Sequence, residues 1–202
     1  MKLGILSYSS SNTGNVKRLF KKVFEDEILE IKNNTYKSDL LILPGVGNFE
    51  FVMNELISKK FNKTFLQKNF KKVFGICLGM HLLQKESSEC EQGSIKGFNF
   101  SNKSVIPISA SKNEKRVHTG WNYVKFIKRD LANMDGYYFF SHSFGILWSG
   151  ENDELAYYEI NNKKFVAVFK KGNFTGVQFH PELSGSRGRD LISFLLIEND
   201  LI

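Results

Sequence analysis

The sequence predicts an α/β protein: a mostly parallel central sheet flanked by helices, with a strand-rich second half. Through about residue 83, apolar strand-like runs alternate with helix-like runs. From about residue 94, short β-branched and aromatic segments follow one another between Gly, Asn and Asp turns. No stretch is rich enough in Pro, Gly or Ser to separate domains, and no internal repeat occurs, so we expect a single domain over residues 1–202.

The first half contains three apolar runs that predict strands: "KLGILSY", "DLLILPGVG" and "KKVFGIC". Between the first two, "VKRLFKKVF" predicts a helix that places Val16, Leu19, Phe20 and Val23 on one face. "NFEFVMNELISKKF" predicts a second helix beginning near Asn48, a residue suited to the N-cap. "LGMHLLQKE" predicts a third. Strands that alternate with helices favour a parallel sheet with helices on both faces.

The second half predicts strands at "KSVIPI", "WNYVKFI", "GYYFFSHSF", "ELAYYEI" and "KFVAVFKKGNFTGVQF". Within the last of these, "KKGN" predicts a hairpin turn. The chain closes with "GRDLISFLLIENDLI", which predicts an apolar-faced helix.

The formal net charge of +7 arises from lysines scattered as pairs at expected helix ends and turns. Neither zinc-finger spacing nor an RNA-binding aromatic signature accompanies them, so we expect a solvated surface and no nucleic-acid partner. An acidic protein partner and weak nonspecific nucleic-acid binding are the alternatives. No apolar run approaches the roughly 20 residues that cross a bilayer. The start of the chain turns polar too soon for a signal peptide. We therefore expect no membrane association and a cytoplasmic location.

The chain has two cysteines, Cys77 and Cys90, without C-x-x-C spacing. In a reducing compartment a disulfide is not expected, and two thiols alone do not build a zinc site. We expect no metal and no cofactor. Each cysteine is therefore either a buried packing residue or a residue that takes part in a reaction.

Cys77 stands in "GICLG", at the junction of a predicted strand and helix. A residue on a sharp strand-to-helix turn needs small neighbours, and Gly75 and Gly79 lie two residues before and after it. G-x-C-x-G is the thiol form of the nucleophile elbow, and a helix N-terminus favours the thiolate. A buried structural cysteine is the alternative reading of Cys77 taken alone.

His180 follows the apolar strand "GVQF" and begins the sequence H-P-E. In an extended backbone, His180 and Glu182 point to the same side, and Pro181 disfavours helix at His180. A carboxylate beside an imidazole fixes its tautomer and stabilises the imidazolium. A chance H-x-E is the alternative.

"LPGVG", residues 43–47, ends another predicted parallel strand. Ligands of open parallel sheets bind at the carboxyl ends of the strands, so this loop is expected to face the same cleft as Cys77. Its glycine-flanked backbone could turn N–H groups toward an oxyanion. An ordinary tight turn is the alternative.

The chain resembles the class I glutamine amidotransferases of the triad type in three segments: "GICLG", "QFHPE" and "LPGVG". It is also similar to the glutaminase subunits of imidazole glycerol phosphate synthase in "HTGWN", "FFSHSF" and "GVQFHPELSG". The resemblance runs from the first strand to the last helix. It implies hydrolysis of the side-chain amide of glutamine through a γ-glutamyl thioester. It also implies delivery of the ammonia to a synthase partner, a (βα)8-barrel cyclase, in a heterodimer that serves histidine biosynthesis.

The resemblance implies roles for individual residues. Cys77 would be the nucleophile, His180 the base and Glu182 the orienting acid, with the Leu78 N–H and the Gly47 loop as oxyanion donors. Further residues match positions at which the family binds glutamine: Gly45, Val46, His81, Ser141, His142 and Ser143. His118 also matches a family position near the substrate or the interface, although packed or exposed histidines are the alternative for both His118 and His142.

Three positions depart from the family pattern. The family usually has Gln four residues after the nucleophile, and here His81 cannot present a carboxamide's paired groups. The usual opening loop D-Y-G-x-G-N is replaced by the longer "SYSSSNTGN", with Ser7 in place of Asp. The residue after H-P-E, often a lysine that faces the synthase, is Leu183.

These departures leave alternatives open. One is a paralogous glutaminase that supplies an ATP-dependent amidotransferase of surface sugars. A second is a noncatalytic binding protein of the same fold, which predicts a damaged triad, whereas all three members are present. A third is a thiol hydrolase or peptidase with a similar elbow, which the match at "HTGWN" and "FFSHSF" disfavours.

Overall fold

A computed structural model describes residues 1–198 of the chain. Its first half has this element order: β1 (Leu3–Leu6), α1 (Thr13–Lys21), β2 (Ile28–Ile31), β3 (Ser38–Leu43), α2 (Phe49–Ser58), α3 (Lys63–Asn69), β4 (Phe70–Ile76), α4 (Leu78–Leu82), β5 (Glu86–Ser87) and β6 (Ile95–Lys96). The three predicted strands and three predicted helices are present. Strands β2, β5 and β6 and helix α3 were not predicted, and β5 begins at Glu86, the last residue of the predicted third helix.

The second half continues with β7 (Ser104–Pro107), β8 (His118–Phe126), β9 (Gly136–His142), β10 (Phe144–Gly145), β11 (Glu154–Ile160), β12 (Lys163–Lys171), β13 (Phe174–Val177) and α5 (Gly185–Ser193). Short 3-10 turns cover Arg129–Met134 and Pro181–Leu183, and a π-helical turn, Phe194–Glu198, extends α5. The last four residues of the predicted closing helix lie outside the described residues.

The central sheet has nine strands in the order β2-β1-β3-β4-β13-β12-β11-β8-β9. Strands β2, β1, β3, β4 and β13 pair in parallel, and the remaining pairs are antiparallel. A second sheet has the order β10-β7-β5-β6. The predicted fold class is confirmed.

Two apolar clusters form the core. One contains Val16 of α1 and Leu191 of α5, and the other contains Val52 of α2, Leu66 of α3 and Met80 of α4. The helices therefore pack in two separate layers, as expected for a sheet covered on both faces.

Local sequence signals set several boundaries as predicted. Asn48 is the N-cap of α2, and its Oδ1 accepts a hydrogen bond from the Phe51 N–H at 3.0 Å. The turn between β12 and β13 contains Gly172 at φ +55°, which confirms the "KKGN" hairpin. In α1, Val16, Leu19 and Phe20 are buried, but the helix ends before Val23.

Helix α4 is shorter than the predicted "LGMHLLQKE", since it ends at Leu82. The carbonyls of Leu82, Leu83 and Gln84 accept hydrogen bonds from the N–H groups of residues 98, 100 and 99. These contacts from a distant segment replace the next helical turn. With five residues, α4 supplies a smaller helix-terminus charge at Cys77 than a long helix would.

No helix among residues 1–198 is both long enough and apolar enough to span a membrane.

Candidate active site

Cys77 lies at a sharp turn between β4 and α4. Its backbone has φ +46° and ψ −104°, a conformation that L-residues rarely adopt. A Cβ at Gly75 would lie 2.5 Å from the carbonyl of Gly79, and one at Gly79 would lie 2.2 Å from the Leu43 oxygen. The turn therefore requires both glycines, as the elbow pattern predicted.

Strand pairing brings His180 to Cys77. Strand β13 runs parallel to β4, with Gly176 opposite Gly75 and Val177 opposite Ile76. The segments that follow the two strands consequently emerge at the same edge of the sheet. The Cys77 N–H donates to the Val177 oxygen at 2.7 Å, which fixes the elbow against the neighbouring strand.

His180 lies between Glu182 and Cys77. Its Nδ1 is 2.9 Å from Glu182 Oε1, and its ring interacts electrostatically with Cys77, whose Sγ lies 3.8 Å from the Ser141 carbonyl oxygen. Cys77 and His180 are 4% and 3% exposed, so this pair is largely shielded from water. Burial alone would lower the pKa of His180, but the negative charges of Cys77 and Glu182 outweigh it and raise that pKa to about 10. The arrangement is a buried cysteine beside a histidine that a carboxylate orients.

Asn12 also contacts Glu182, a contact that no sequence pattern predicted. The Asn12 Nδ2 donates to Glu182 Oε1 at 2.8 Å across 170 residues of sequence. Asn12 belongs to the lengthened first loop, immediately before α1. That loop therefore adds a donor that holds the orienting acid.

The "PGVG" loop approaches the pair closely. A Cβ at Gly45 would lie 3.0 Å from the Cys77 Cβ and 3.1 Å from the His180 Cε1. Gly47 has φ +129°, and the Val46 carbonyl accepts a hydrogen bond from the Ser10 hydroxyl at 3.1 Å. The loop is thus connected to the first loop by a contact that the family pattern did not suggest.

A cavity of about 490 Å³ opens over Cys77. Ten of the eleven sequence-predicted site residues line it: Gly45, Val46, Gly47, Cys77, Leu78, His81, Ser141, His142, Ser143 and His180. The eleventh, Glu182, lies behind His180, where its side chain is fully buried.

Six further residues line the cavity and were not predicted: Asn12, Asn15, Glu89, Phe139, Phe144 and Leu183. Leu183 was noted only for its departure from lysine. Glu89 follows β5 in a segment that carries no motif, so the sequence offered no signal for it. Burial raises the pKa of Glu89 to about 7, although hydrogen bonds from the Phe49 N–H and the Asn48 side chain act to lower it.

His118 and His142 form a buried pair at one side of the cavity. His142 Nδ1 donates to the Phe144 carbonyl at 2.8 Å, so its Nε2 is left to accept from His118 Nδ1 at 3.0 Å. His118 Nε2 in turn accepts from Asn122 Nδ2 at 3.3 Å. Burial lowers the pKa of His118 to about 4 and that of His142 well below its usual range. Both rings are therefore neutral at pH 7.

These neutral histidines predict acid sensitivity. Unfolded histidine takes up its proton near pH 6.5, whereas folded His118 does so only near pH 4, so the unfolded state binds more protons between these values. The contribution of these two histidines to stability therefore falls as pH drops from 7 toward 5. Glu89 and His180 act in the opposite direction, because the pKa of each is raised on folding.

We expect His118→Gln to reduce this pH slope by about 1.4 kcal/mol per pH unit, the contribution of one proton. The measurement is the free energy of unfolding by urea at pH 5.0, 6.0 and 7.0 for both proteins. Equal slopes would show that His118 takes up its proton as readily in the folded chain as in the unfolded one.

Among residues 1–198, no group of three or more His, Cys, Asp and Glu side chains is arranged to hold a metal ion. Both cysteines are free, with Cys77 buried and Cys90 partly exposed.

Residues 7–198 match the glutamine amidotransferase class-I family. The chain is 35% identical over 199 residues to imidazole glycerol phosphate synthase subunit HisH 2 of Methanococcus maripaludis, covering 94% of this chain and 96% of that protein. It is 34% identical over 202 residues to the HisH subunit of Thermotoga maritima, covering 95% of this chain and 94% of that protein.

Solved structures share the fold. One described as a glutamine amidotransferase superposes with a TM-score of 0.71 at 17% identity, covering 96% of this chain and 97% of that one. A chain of PurLQS from Thermotoga maritima superposes with a TM-score of 0.70 at 16% identity, covering 100% of this chain and 99% of that one.

Proposed function

The chain belongs to the class-I glutamine amidotransferases, and from that premise we propose that it is the glutaminase subunit of an imidazole glycerol phosphate synthase. It hydrolyses glutamine to glutamate and ammonia and passes the ammonia to a cyclase subunit in histidine biosynthesis, in the cytoplasm. The observation that carries this proposal is the Cys77–His180–Glu182 arrangement on a strained elbow beside a cavity. A noncatalytic protein of the same fold would have no need of that strain.

The geometry supports a thioester mechanism. The Cys77 thiolate attacks the side-chain carbonyl carbon of glutamine, and the resulting oxyanion lies against the Leu78 and Gly47 N–H groups. The His180 imidazolium gives its Nε2 proton to the amide nitrogen, and ammonia leaves. His180, now neutral, takes a proton from water, whose oxygen attacks the thioester. Collapse of that intermediate releases glutamate and regenerates the thiolate–imidazolium pair.

The cavity walls supply contacts for the rest of the substrate. We assign Gly45, Val46, Ser141, His142 and Ser143 to the glutamine site because they line the cavity around Cys77. Free glutamine also carries an α-ammonium group, and Glu89 is the carboxylate that lines the cavity. The raised pKa of Glu89 is consistent with a carboxylate that binds a cation, because a bound ammonium group would lower this pKa and keep the carboxylate charged.

We expect Glu89→Gln to raise KM for glutamine about 10- to 100-fold with little change in kcat, because a hydrogen bond to a charged group is lost. Steady-state assay of glutamate formation measures both constants. Glu91→Gln, at an exposed neighbouring carboxylate, is the matched control and should leave KM unchanged. An unchanged KM in Glu89→Gln would remove this residue from the substrate site.

An aromatic surface beside the cavity fits the synthase partner. Trp121, Tyr123 and Tyr137 are 56%, 43% and 61% exposed on β8 and β9, at the edge of the sheet. Trp121 contacts Phe139, which lines the cavity, and Leu183 at the cavity rim is 44% exposed. Exposed aromatic clusters of this kind mark protein interfaces. A partner seated here would cover the mouth of the cavity and receive the ammonia.

Co-purification tests the choice of partner. The tagged chain is expressed with a (βα)8-barrel cyclase or with an ATP-using synthetase of surface sugars from the same genome. We expect a stable complex with the cyclase, and Trp121→Ala to weaken it. Binding to the synthetase alone would favour the sugar-amidation function. Leu183 in place of lysine, His81 in place of Gln and the changed first loop are the observations that support it.

A further inference from the structure

We propose that Gln178 donates a hydrogen bond to the Cys77 thiolate and that His81 is the positioning residue that orients the Gln178 amide. This inference rests on the proposed glutaminase function. The Gln178 Nε2 lies 3.6 Å from the Cys77 Sγ, within hydrogen-bond reach of a sulfur acceptor. The Gln178 Oε1 lies 2.7 Å from the His81 Nε2. Both side chains are buried.

The charge of Cys77 selects which end of the amide faces it. An amide that turned its oxygen toward the thiolate would place two negative atoms together, whereas its N–H groups stabilise the charge. The oxygen must then face His81, whose Nε2 has to be the donor. His81 is neutral at pH 7, since burial lowers its pKa to about 4, so its single ring proton is fixed on Nε2.

The other titratable groups around the sulfur do not supply this interaction. Tyr8 and Tyr158 are neutral, since burial raises the pKa of both phenols, but the Tyr8 hydroxyl donates to the Pro44 carbonyl at 2.6 Å and the buried Tyr158 hydroxyl has no hydrogen-bond partner among residues 1–198. His142 is neutral as well, and His180 is the cation already paired with the sulfur. Gln178 therefore contributes a second, uncharged donor from the side of β13.

This arrangement changes the interpretation of His81. The family resemblance implied a contact with glutamine, and His81 does line the cavity. Its Nε2, however, is already committed to Gln178. The imidazole therefore orients the amide behind the nucleophile, and it acts on the reaction through Gln178.

The test measures thiolate reactivity without glutamine or a partner. The rate of Cys77 alkylation by iodoacetamide is followed against pH by peptide mass, with Cys90 as an internal reference. For Gln178→Met we expect the pH of half-maximal alkylation to move upward by about one unit, because a hydrogen bond to a charged sulfur is lost. The Cys90 profile should not change. An unshifted Cys77 profile would overturn the proposal.

The His81 variants separate positioning from substrate binding. His81→Leu should shift the alkylation profile in the same direction and lower kcat about 10-fold with KM within about twofold. His81→Gln should restore both, because its amide can again donate to Gln178. A rise in KM with an unshifted profile would instead show that His81 binds substrate. If Gln178→Met does not fold, the alkylation profiles and kinetic constants of these two His81 variants decide the proposal.

Failure of the proposed function would look different. A chain that does not hydrolyse glutamine with any partner, yet shows the expected alkylation shifts, would contradict the glutaminase function and leave the donor network intact.

Discussion

Replacing Cys77 with Ala abolishes glutamine hydrolysis, with an expected loss of at least about 1000-fold, because no other group in the cavity can form the thioester. The fold and the binding of the synthase should persist. The elbow depends on the close approach of Gly75 and Gly79, and both glycines remain. The measurements are glutamate release, circular dichroism and co-purification with the partner.

Cys90→Ala is the matched control and should retain full activity, since Cys90 lies outside the cavity lining. A diazo-ketone analogue of glutamine should label Cys77 and leave Cys90 unmodified. Retention of more than about a few per cent of activity in Cys77→Ala, or labelling of Cys90 instead, would contradict the assignment of the nucleophile.

The isolated chain is expected to hydrolyse glutamine slowly, and the cognate synthase with its acceptor substrate bound should raise turnover about 100- to 1000-fold. That range is what one oxyanion-hole donor contributes. The Val46–Gly47 peptide belongs to the loop over Cys77, and the Val46 carbonyl is held by the Ser10 hydroxyl. Rotation of this peptide must break that bond, so the loop has a definite resting orientation that a partner could change.

The measurement is a steady-state glutaminase assay of the chain alone, with the synthase, and with the synthase and its acceptor. Ser10→Ala removes the bond to the Val46 carbonyl and should narrow the ratio of stimulated to isolated turnover by raising the isolated rate. Full activity of the isolated wild-type chain would contradict the gating and leave the assignment of Cys77, His180 and Glu182 standing.

Short-range sterics explain why much of the fold and the elbow could be predicted. Gly75 and Gly79 indicated the turn at Cys77 because no side chain fits there, whatever the rest of the molecule does. Asn48 predicted the start of α2, and Gly172 the hairpin, for equally local reasons. The missed elements β2, α3, β5 and β6 have short or weakly patterned sequences. They acquire their structure from packing: β2 and α3 against β1 and β4, and β5 against β6 and β7.

The sequence by itself determined the α/β class, the strained turn at Cys77 and the extended backbone of His180 before Pro181, because each depends on the backbone preferences of neighbouring residues. The extended backbone expected beyond His180 is wrong, since Pro181–Leu183 forms a 3-10 turn. Only the tertiary structure decided that Asn12 is hydrogen-bonded to Glu182, 170 residues away in sequence. The same is true of the hydrogen bond between His81 and Gln178, which are 97 residues apart. A side-chain hydrogen bond needs its two atoms within about 3.5 Å of each other. Which residues meet that condition is set by strand order and by how α4 packs against the sheet, and these are properties of the whole chain.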